Sequence, residues 1–206
     1  MPVSLPTLVT TVLAYLLGGL PFGYWFVRLS TGKDIRSMGS GNIGATNVHR
    51  TSGGKAGIIV LLLDILKGYL AVLIAGLVNK SDATALALAT VAVVLGHCYP
   101  VFLGFKGGKA VACFVGAFLY VAPLALAITT VVFFAVFALT RYVSLASILG
   151  AVAFPLIVWG LQSYPLPILE AGTVTSLLII FRHSANIERL LKGKEHAFTL
   201  KGGKAA

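Results

Sequence analysis

Apolar residues come in long unbroken blocks, at 7–29, 56–78, 83–102, 110–139, 144–160 and 166–181, with short polar stretches between them. None of the blocks shows the period-two alternation of a barrel strand, and a helix satisfies its own backbone polar groups in hydrocarbon. The pattern therefore predicts membrane-spanning helices and an all-α fold class, a polytopic helical bundle. A helix crosses the ~30 Å apolar core with about 20 residues at 1.5 Å each. Block 110–139 would be about 45 Å long as one helix. As a single crossing it would strand Arg141, and two crossings later the basic run from Arg182, on the outer face. A break near Pro123 brings both inside. The expectation is seven transmembrane helices in one domain, residues 1–206, with the N-terminus outside and the C-terminus cytoplasmic. Every Lys and Arg then faces the cytoplasm except Lys67, within the second span, and Lys80, in a short outer loop.

Composition agrees with this pattern: 58% of residues are hydrophobic, 11% are charged and the mean hydropathy is +0.95. The net charge of +10 is spread over loops between apolar blocks rather than on one soluble domain. It points to anionic headgroups or phosphorylated substrates, with no nucleic acid as partner. The residues before the first block carry no basic n-region, and the block is too long for a signal-peptide core, so it is read as a retained helix. Cys98 and Cys113 lack CxxC spacing and read as packing residues, with neither a disulfide framework nor a metal site. Lys201-Gly202-Gly203-Lys204 reads as a loose basic tail near anionic lipid.

Three polar stretches interrupt the apolar pattern, and parity brings all three to the cytoplasmic face. The first, Gly39-Ser40-Gly41-Asn42-Ile43-Gly44-Ala45-Thr46-Asn47-Val48-His49-Arg50, alternates Gly with small hydroxyl and amide donors and ends on a forked cation. That mixture suits a phosphate approached closely by backbone. It is neither a Walker loop nor a dinucleotide fingerprint. The second, Phe105-Lys106-Gly107-Gly108-Lys109, precedes a helix whose first N–H groups favour an anion, and Lys109 stands at that helix start. The third, Arg182-His183-Ser184-Ala185-Asn186-Ile187-Glu188-Arg189, places Arg182, Asn186 and Arg189 on one face if it is a continuous helix. Three such clusters can serve two phosphate groups. Asp64 and Lys67, at i and i+3 within a span, read as a structural ion pair, and His97 as a support for a neighbouring motif.

Together, these three stretches, with Gly96-His97-Cys98-Tyr99-Pro100 leading into the second, resemble the three motifs of the bacterial acyl-phosphate-dependent glycerol-3-phosphate acyltransferases, the PlsY family, in the family order and over essentially the whole chain. The resemblance implies transfer of a fatty acyl group from acyl phosphate to the 1-position of glycerol 3-phosphate. The products are lysophosphatidate and phosphate, in the first acylation of phospholipid synthesis at the bacterial inner membrane. It implies no cofactor and no metal. By motif position it implies Ser40, Arg50, Lys109, His183 and Asn186 as catalytic residues. Gly41, Asn42, Thr46, Asn47, Lys106, Gly107, Gly108 and Arg182 bind substrate, joined by Ser147 from a further similar segment, 141–147. Three positions depart from the family pattern: Ala110 where Gly is usual, Cys113 where Thr is common and Ser184 where a basic residue is frequent. Ala110 matters if that position needs positive φ, where a Cβ is unfavourable.

An acyl phosphate is a mixed anhydride with a good leaving group, so positioning and charge carry most of the rate. His183, or a substrate phosphate oxygen, accepts the hydroxyl proton in this reading. His183 and Glu188 have H-x-x-x-x-E spacing, close to the dyad of the thioester-dependent acyltransferases, but residues i and i+5 on a continuous helix diverge by about 140°. A phosphate-ester transporter is the rival from another class; its site would sit at the midplane of an internal repeat, and no repeat is visible.

Overall fold

The computed structural model describes residues 3–199, and the tail motif 201–204 lies outside them. Among the described residues the regular structure is all helical, without strands. Helix α1 (Leu5–Gly18) starts on the Ser4 hydroxyl, which accepts from the Thr7 N–H. The first apolar block does not continue as one helix. It breaks at residues 19–21 and resumes as α2 (Phe22–Thr31), because Pro21 has no N–H to offer the ladder. The carbonyl freed at Leu20 accepts from Lys67 Nζ at 2.7 Å. Lys67 is simultaneously paired with Asp64 at 2.9 Å, both side chains only 3% exposed, and lies over the Phe22 ring. The ion pair that the spacing predicts is formed, and its lysine also mends the break in the first span.

After the glycine motif comes the short α3 (Ala45–Ser52), then α4 (Gly54–Val78) and α5 (Ala83–Cys98), the last capped by Asp82 accepting from Ala85 N. The long block divides at Ala122, directly before Pro123, into α6 (Val111–Val121) and α7 (Pro123–Thr140). Helices α8 (Val143–Leu161) and α9 (Leu166–Arg182) follow, and α10 (Ser184–Leu191) leaves α9 at a bend of 56°.

Five described segments are long and apolar enough to cross a bilayer: Leu5–Thr31, Gly54–Val78, Ala83–Leu103, Pro123–Thr140 and Val143–Leu161, with the bent pair α9–α10 making a sixth. The division at Pro123 is unequal. With 11 residues, α6 rises only about 16 Å, about half the hydrocarbon thickness, so length alone supports five or six crossings rather than the expected seven.

Lipid offers no hydrophobic drive between helices, so packing relies on close backbone approach through small residues. Helix α4 packs most heavily on α6 through a reciprocal glycine pair. A Cβ on Gly116 would fall 1.8 Å from the Ile65 carbonyl, and one on Gly68 2.2 Å from that of Cys113. Gly18 and Gly96 do the same between α1 and α5. The main core gathers Phe114, Phe118 and Phe154 in mutual ring contact, with both cysteines free and buried. A second, smaller core of Val27, Ile35, Ile43, Val48, Ala56 and Val60 lies under the glycine motif and holds it against α2 and α4.

Candidate active site

The glycine motif is organised by Asn47, 1% exposed. Its Oδ1 accepts from Ser40 N at 2.8 Å, and its Nδ2 donates to Met38 O at 3.0 Å and Asn42 O at 2.8 Å. Gly39 has φ +55, and an added Cβ would meet the Asn47 oxygen at 2.3 Å, so only glycine fits there. Asn42 closes an Asx turn onto Gly44 N at 2.8 Å. The folded motif turns Ser40, Asn42, Thr46 and Arg50 toward one cavity. Asn47 is engaged wholly by the loop and, like Gly41, is absent from the cavity wall. The Arg50 guanidinium has no hydrogen-bond partner among the described residues. Burial holds its guanidinium below its ordinary range, with Glu195 opposing and Arg189 adding to the effect.

The lysine loop is held from beneath. Gly107 N donates to Cys98 O at 3.2 Å and Gly108 N to His97 O at 3.0 Å. The Arg182 fork donates to the Gly108 and Gly107 carbonyls at 3.0 and 2.9 Å and lies over the Tyr99 ring. The glycines are needed for close approach, since a Cβ on Gly107 would meet the His97 carbonyl at 2.2 Å and one on Gly108 the His97 ring at 2.3 Å. Their N–H groups and the Arg182 fork therefore build the loop instead of lining the cavity, and Lys106 is exposed outside it. Lys109 does reach the cavity, where its Nζ donates to Asn186 Oδ1. Burial, then the Arg189 guanidinium, lowers the Lys109 ammonium from its ordinary 10.5 to about 8; Glu195 opposes this, while Arg50 and Arg182 add to it.

The third motif is not one continuous face. The chain bends at His183, so Arg182 turns to the lysine loop while Asn186 turns to Lys109. His183 Nδ1 sits 2.7 Å from Ile179 O. A carbonyl can only accept, so Nδ1 carries the proton and Nε2 of the neutral ring is left as an acceptor, in a residue that lines the cavity. Ser147 also lines the cavity, its hydroxyl donating to Val143 O at 2.8 Å.

Sequence reasoning passed over Glu195. Its Oε1 accepts from Asn186 Nδ2 at 2.8 Å and Ser144 Oγ at 2.9 Å, and its Oε2 from Arg189 Nε at 2.8 Å. Burial pushes this carboxyl up, but those three hydrogen bonds outweigh it and hold the group below its ordinary range. By occupying the Asn186 amide nitrogen, Glu195 fixes which way Asn186 points and delivers its oxygen to Lys109. The available signal was a lone acid in a basic run, between Lys194 and His196, and Ser144 one turn before Ser147. Asp64 and His97, 3.7 Å apart, also line the cavity.

The cavity holds about 520 Å³ and has two unlike ends. Ser40, Asn42, Thr46, Arg50, Lys109, His183 and Asn186 make a polar, cationic end, while Ile58, Leu61, Ile65, Phe114, Leu126 and Phe134 make an apolar one. Ile58, Leu61 and Phe134 are also on the exposed apolar surface, so this end opens sideways. The shape suits an amphiphile with an anionic head, alongside a second small anion.

The glycerol-3-phosphate acyltransferase family model matches residues 8–193. The chain is 45% identical to the glycerol-3-phosphate acyltransferase of Aquifex aeolicus over 187 residues, covering 91% of this chain and 96% of the relative. It is 48% identical to that of Syntrophotalea carbinolica over 190 residues, covering 90% and 94%. Among solved structures it is similar to PlsY, an integral membrane glycerol 3-phosphate acyltransferase. The glycerol 3-phosphate form is 44% identical, with a TM-score of 0.89 and coverage of 94% and 96%. The lysophosphatidic acid form is 42% identical, with a TM-score of 0.86 and the same coverage.

Proposed function

This chain belongs to the glycerol-3-phosphate acyltransferase family, and from that premise we propose that its acyl donor is an acyl phosphate and that it acylates the 1-hydroxyl of sn-glycerol 3-phosphate. The observation that carries the reading is the two-ended cavity, in which Arg50, whose guanidinium has no hydrogen-bond partner among the described residues, and Lys109, bonded to Asn186, line the wall together with an apolar groove. Two phosphates, one on each substrate, account for a site with this much cationic and donor capacity. Arg50 and Lys109 hold phosphate oxygens, and Ser40, Asn42, Thr46 and Asn186 orient the acceptor and the reacting carbonyl. Ser147 meets the groove side. The acceptor hydroxyl oxygen bonds to the acyl carbon, the carbon–oxygen bond to phosphate breaks, and phosphate leaves with the electron pair. The hydroxyl proton ends on the released phosphate, directly or by way of His183 Nε2. The nearby cations stabilise charge as it moves onto the leaving group, and the cavity supplies proximity.

The topology that goes with this reading has seven crossings, with α6 counted as a short one, the N-terminus outside and the C-terminus in the cytoplasm of a bacterium. The positive-inside rule supports it, because it gathers Arg50, Lys109 and Arg189 on the face where phosphorylated metabolites are found.

Purified protein in lipid, given palmitoyl phosphate with and without glycerol 3-phosphate, tests the proposal. Lysophosphatidate should form with matching phosphate release, and Lys109→Ala should abolish both. Product from a thioester donor but none from acyl phosphate would overturn it.

A further inference from the structure

Beyond α10 the chain doubles back over the site as a strap. Gly193 turns it with φ +63, Glu195 docks on Asn186, Ser144 and Arg189, and three residues later Phe198 reaches the cavity wall. The Phe198 ring stacks on His49 of α3, with centroids 4.7 Å apart and planes at 27°. It meets Phe137 of α7 edge-on at 5.7 Å. Its N–H donates to Arg141 O at 2.9 Å, and His49 Nε2 lies 3.1 Å from Thr199 O. The strap thus ties α3, which carries Arg50, to the α7–α8 junction, and its one large apolar side chain is set into the wall of the cavity. The family match ends at residue 193, so Phe198 lies outside the matched region.

The chemistry of the site sets a requirement for that wall. Arg50 and Lys109 favour departure of phosphate whatever the nucleophile, so charge alone does not separate a glycerol hydroxyl from water. Transfer makes the ester. Hydrolysis puts the water oxygen on the same acyl carbon, breaks the same carbon–oxygen bond, and yields a fatty acid carboxylate, phosphate and a released proton. A site that favours transfer must exclude water at the acyl carbon, and exclusion requires an apolar closure at the polar end of the groove.

We propose that Phe198, stacked on His49 and braced by Phe137, is that closure: a specificity-determining residue that makes the bound acyl phosphate react with the glycerol hydroxyl in preference to water. This rests on the acyl-phosphate reading above. The test uses the full chain in lipid vesicles with palmitoyl phosphate and saturating glycerol 3-phosphate, quantifying palmitate and lysophosphatidate in the same reaction. Wild type should yield almost wholly lysophosphatidate. Phe198→Ala and His49→Ala should raise the palmitate-to-lysophosphatidate ratio about tenfold or more, and Phe198→Tyr, which keeps the stack, should restore it. Should Phe198→Ala fail to fold, Phe198→Leu keeps apolar bulk without the ring and is read by the same ratio. An unchanged ratio in Phe198→Ala or, where that variant does not fold, in Phe198→Leu, whatever the rate, overturns the role of the strap while leaving the acyl-phosphate reading intact. A wild type that makes no lysophosphatidate from acyl phosphate overturns both.

Discussion

Raising the pH should weaken binding of glycerol 3-phosphate from about pH 8 upward, through Lys109. The ammonium is brought from its ordinary 10.5 to about 8, first by burial and next by Arg189. At about 1.4 kcal/mol per pH unit this is a cost of about 3 kcal/mol for holding the charge in the unliganded site. A dianionic phosphate beside Nζ offsets that cost and raises the group again. Above pH ~8 the free protein has lost the proton that the complex requires, so binding takes one up, and KM should rise by up to about tenfold per pH unit. The acceptor itself does not change in this range, since its second phosphate ionisation lies near pH ~6. Stability moves the opposite way. The unfolded chain holds the Lys109 proton up to its ordinary value while the folded chain releases it near 8, so this group's contribution to unfolding free energy increases between those two values. The assay is initial-rate KM from pH ~7 to ~10 for wild type and Lys109→Arg, whose guanidinium stays charged throughout. A flat wild-type profile, or the same rise in the Arg variant, would refute the assignment.

Gly116→Ala and Gly68→Ala place a Cβ against backbone carbonyls across the α4–α6 contact and should each cost ~1–3 kcal/mol or more in thermal unfolding. Gly160→Ala, with nothing within 4 Å, should cost nothing. Lys67→Met leaves the Asp64 carboxylate buried and unpaired and should cost ~3–5 kcal/mol by the same measurement, most of it recovered by adding Asp64→Asn. Ala110 adopts φ +60, so Ala110→Gly relieves ~1–2 kcal/mol of left-handed strain. It gives back ~0.4–1 kcal/mol through the freer unfolded chain and ~0.8 kcal/mol for the lost buried methyl. Its net stability change should stay within ~1 kcal/mol, and a loss of several would contradict the left-handed conformation.

The helical class and most helix limits were legible because hydrocarbon leaves so few options: apolar block length and Pro123 were enough to place α4, α7, α8 and α9 within a residue or two, whereas the block 83–102 overran the end of α5 at Cys98 because Tyr99-Pro100 stops the helix inside an apolar run. The break at residues 19–21 was not recognised, although Gly18-Gly19-Leu20-Pro21 carries a helix-breaking signal. Apolarity alone made the block look continuous, and the distant Lys67 supplies a donor to the Leu20 carbonyl at the break. The meeting of Arg50, Lys109 and Asn186 in one cavity agrees with the expectation that the three polar stretches share one face. The role of Arg182 did not follow, because the bend at His183 separates residues that ideal helical spacing would align. The strap was least legible. Residues 192–199 have no periodicity and little apolar content, and their order comes partly from distant contacts, Ser144 with Glu195 and His49 with Thr199, that no local pattern announces.

The sideways opening of the cavity has a kinetic meaning. With Ile58, Leu61 and Phe134 lining the cavity and also exposed on the apolar surface, the long-chain donor proposed above would arrive by lateral diffusion within one leaflet, and the acylated product would depart the same way. Its effective concentration is a mole fraction of the surrounding lipid, whereas the small acceptor is counted per volume of water. Diluting the membrane with inert lipid at constant total donor therefore slows the first encounter and leaves the second untouched. The two substrates obey different dimensionalities at a single site.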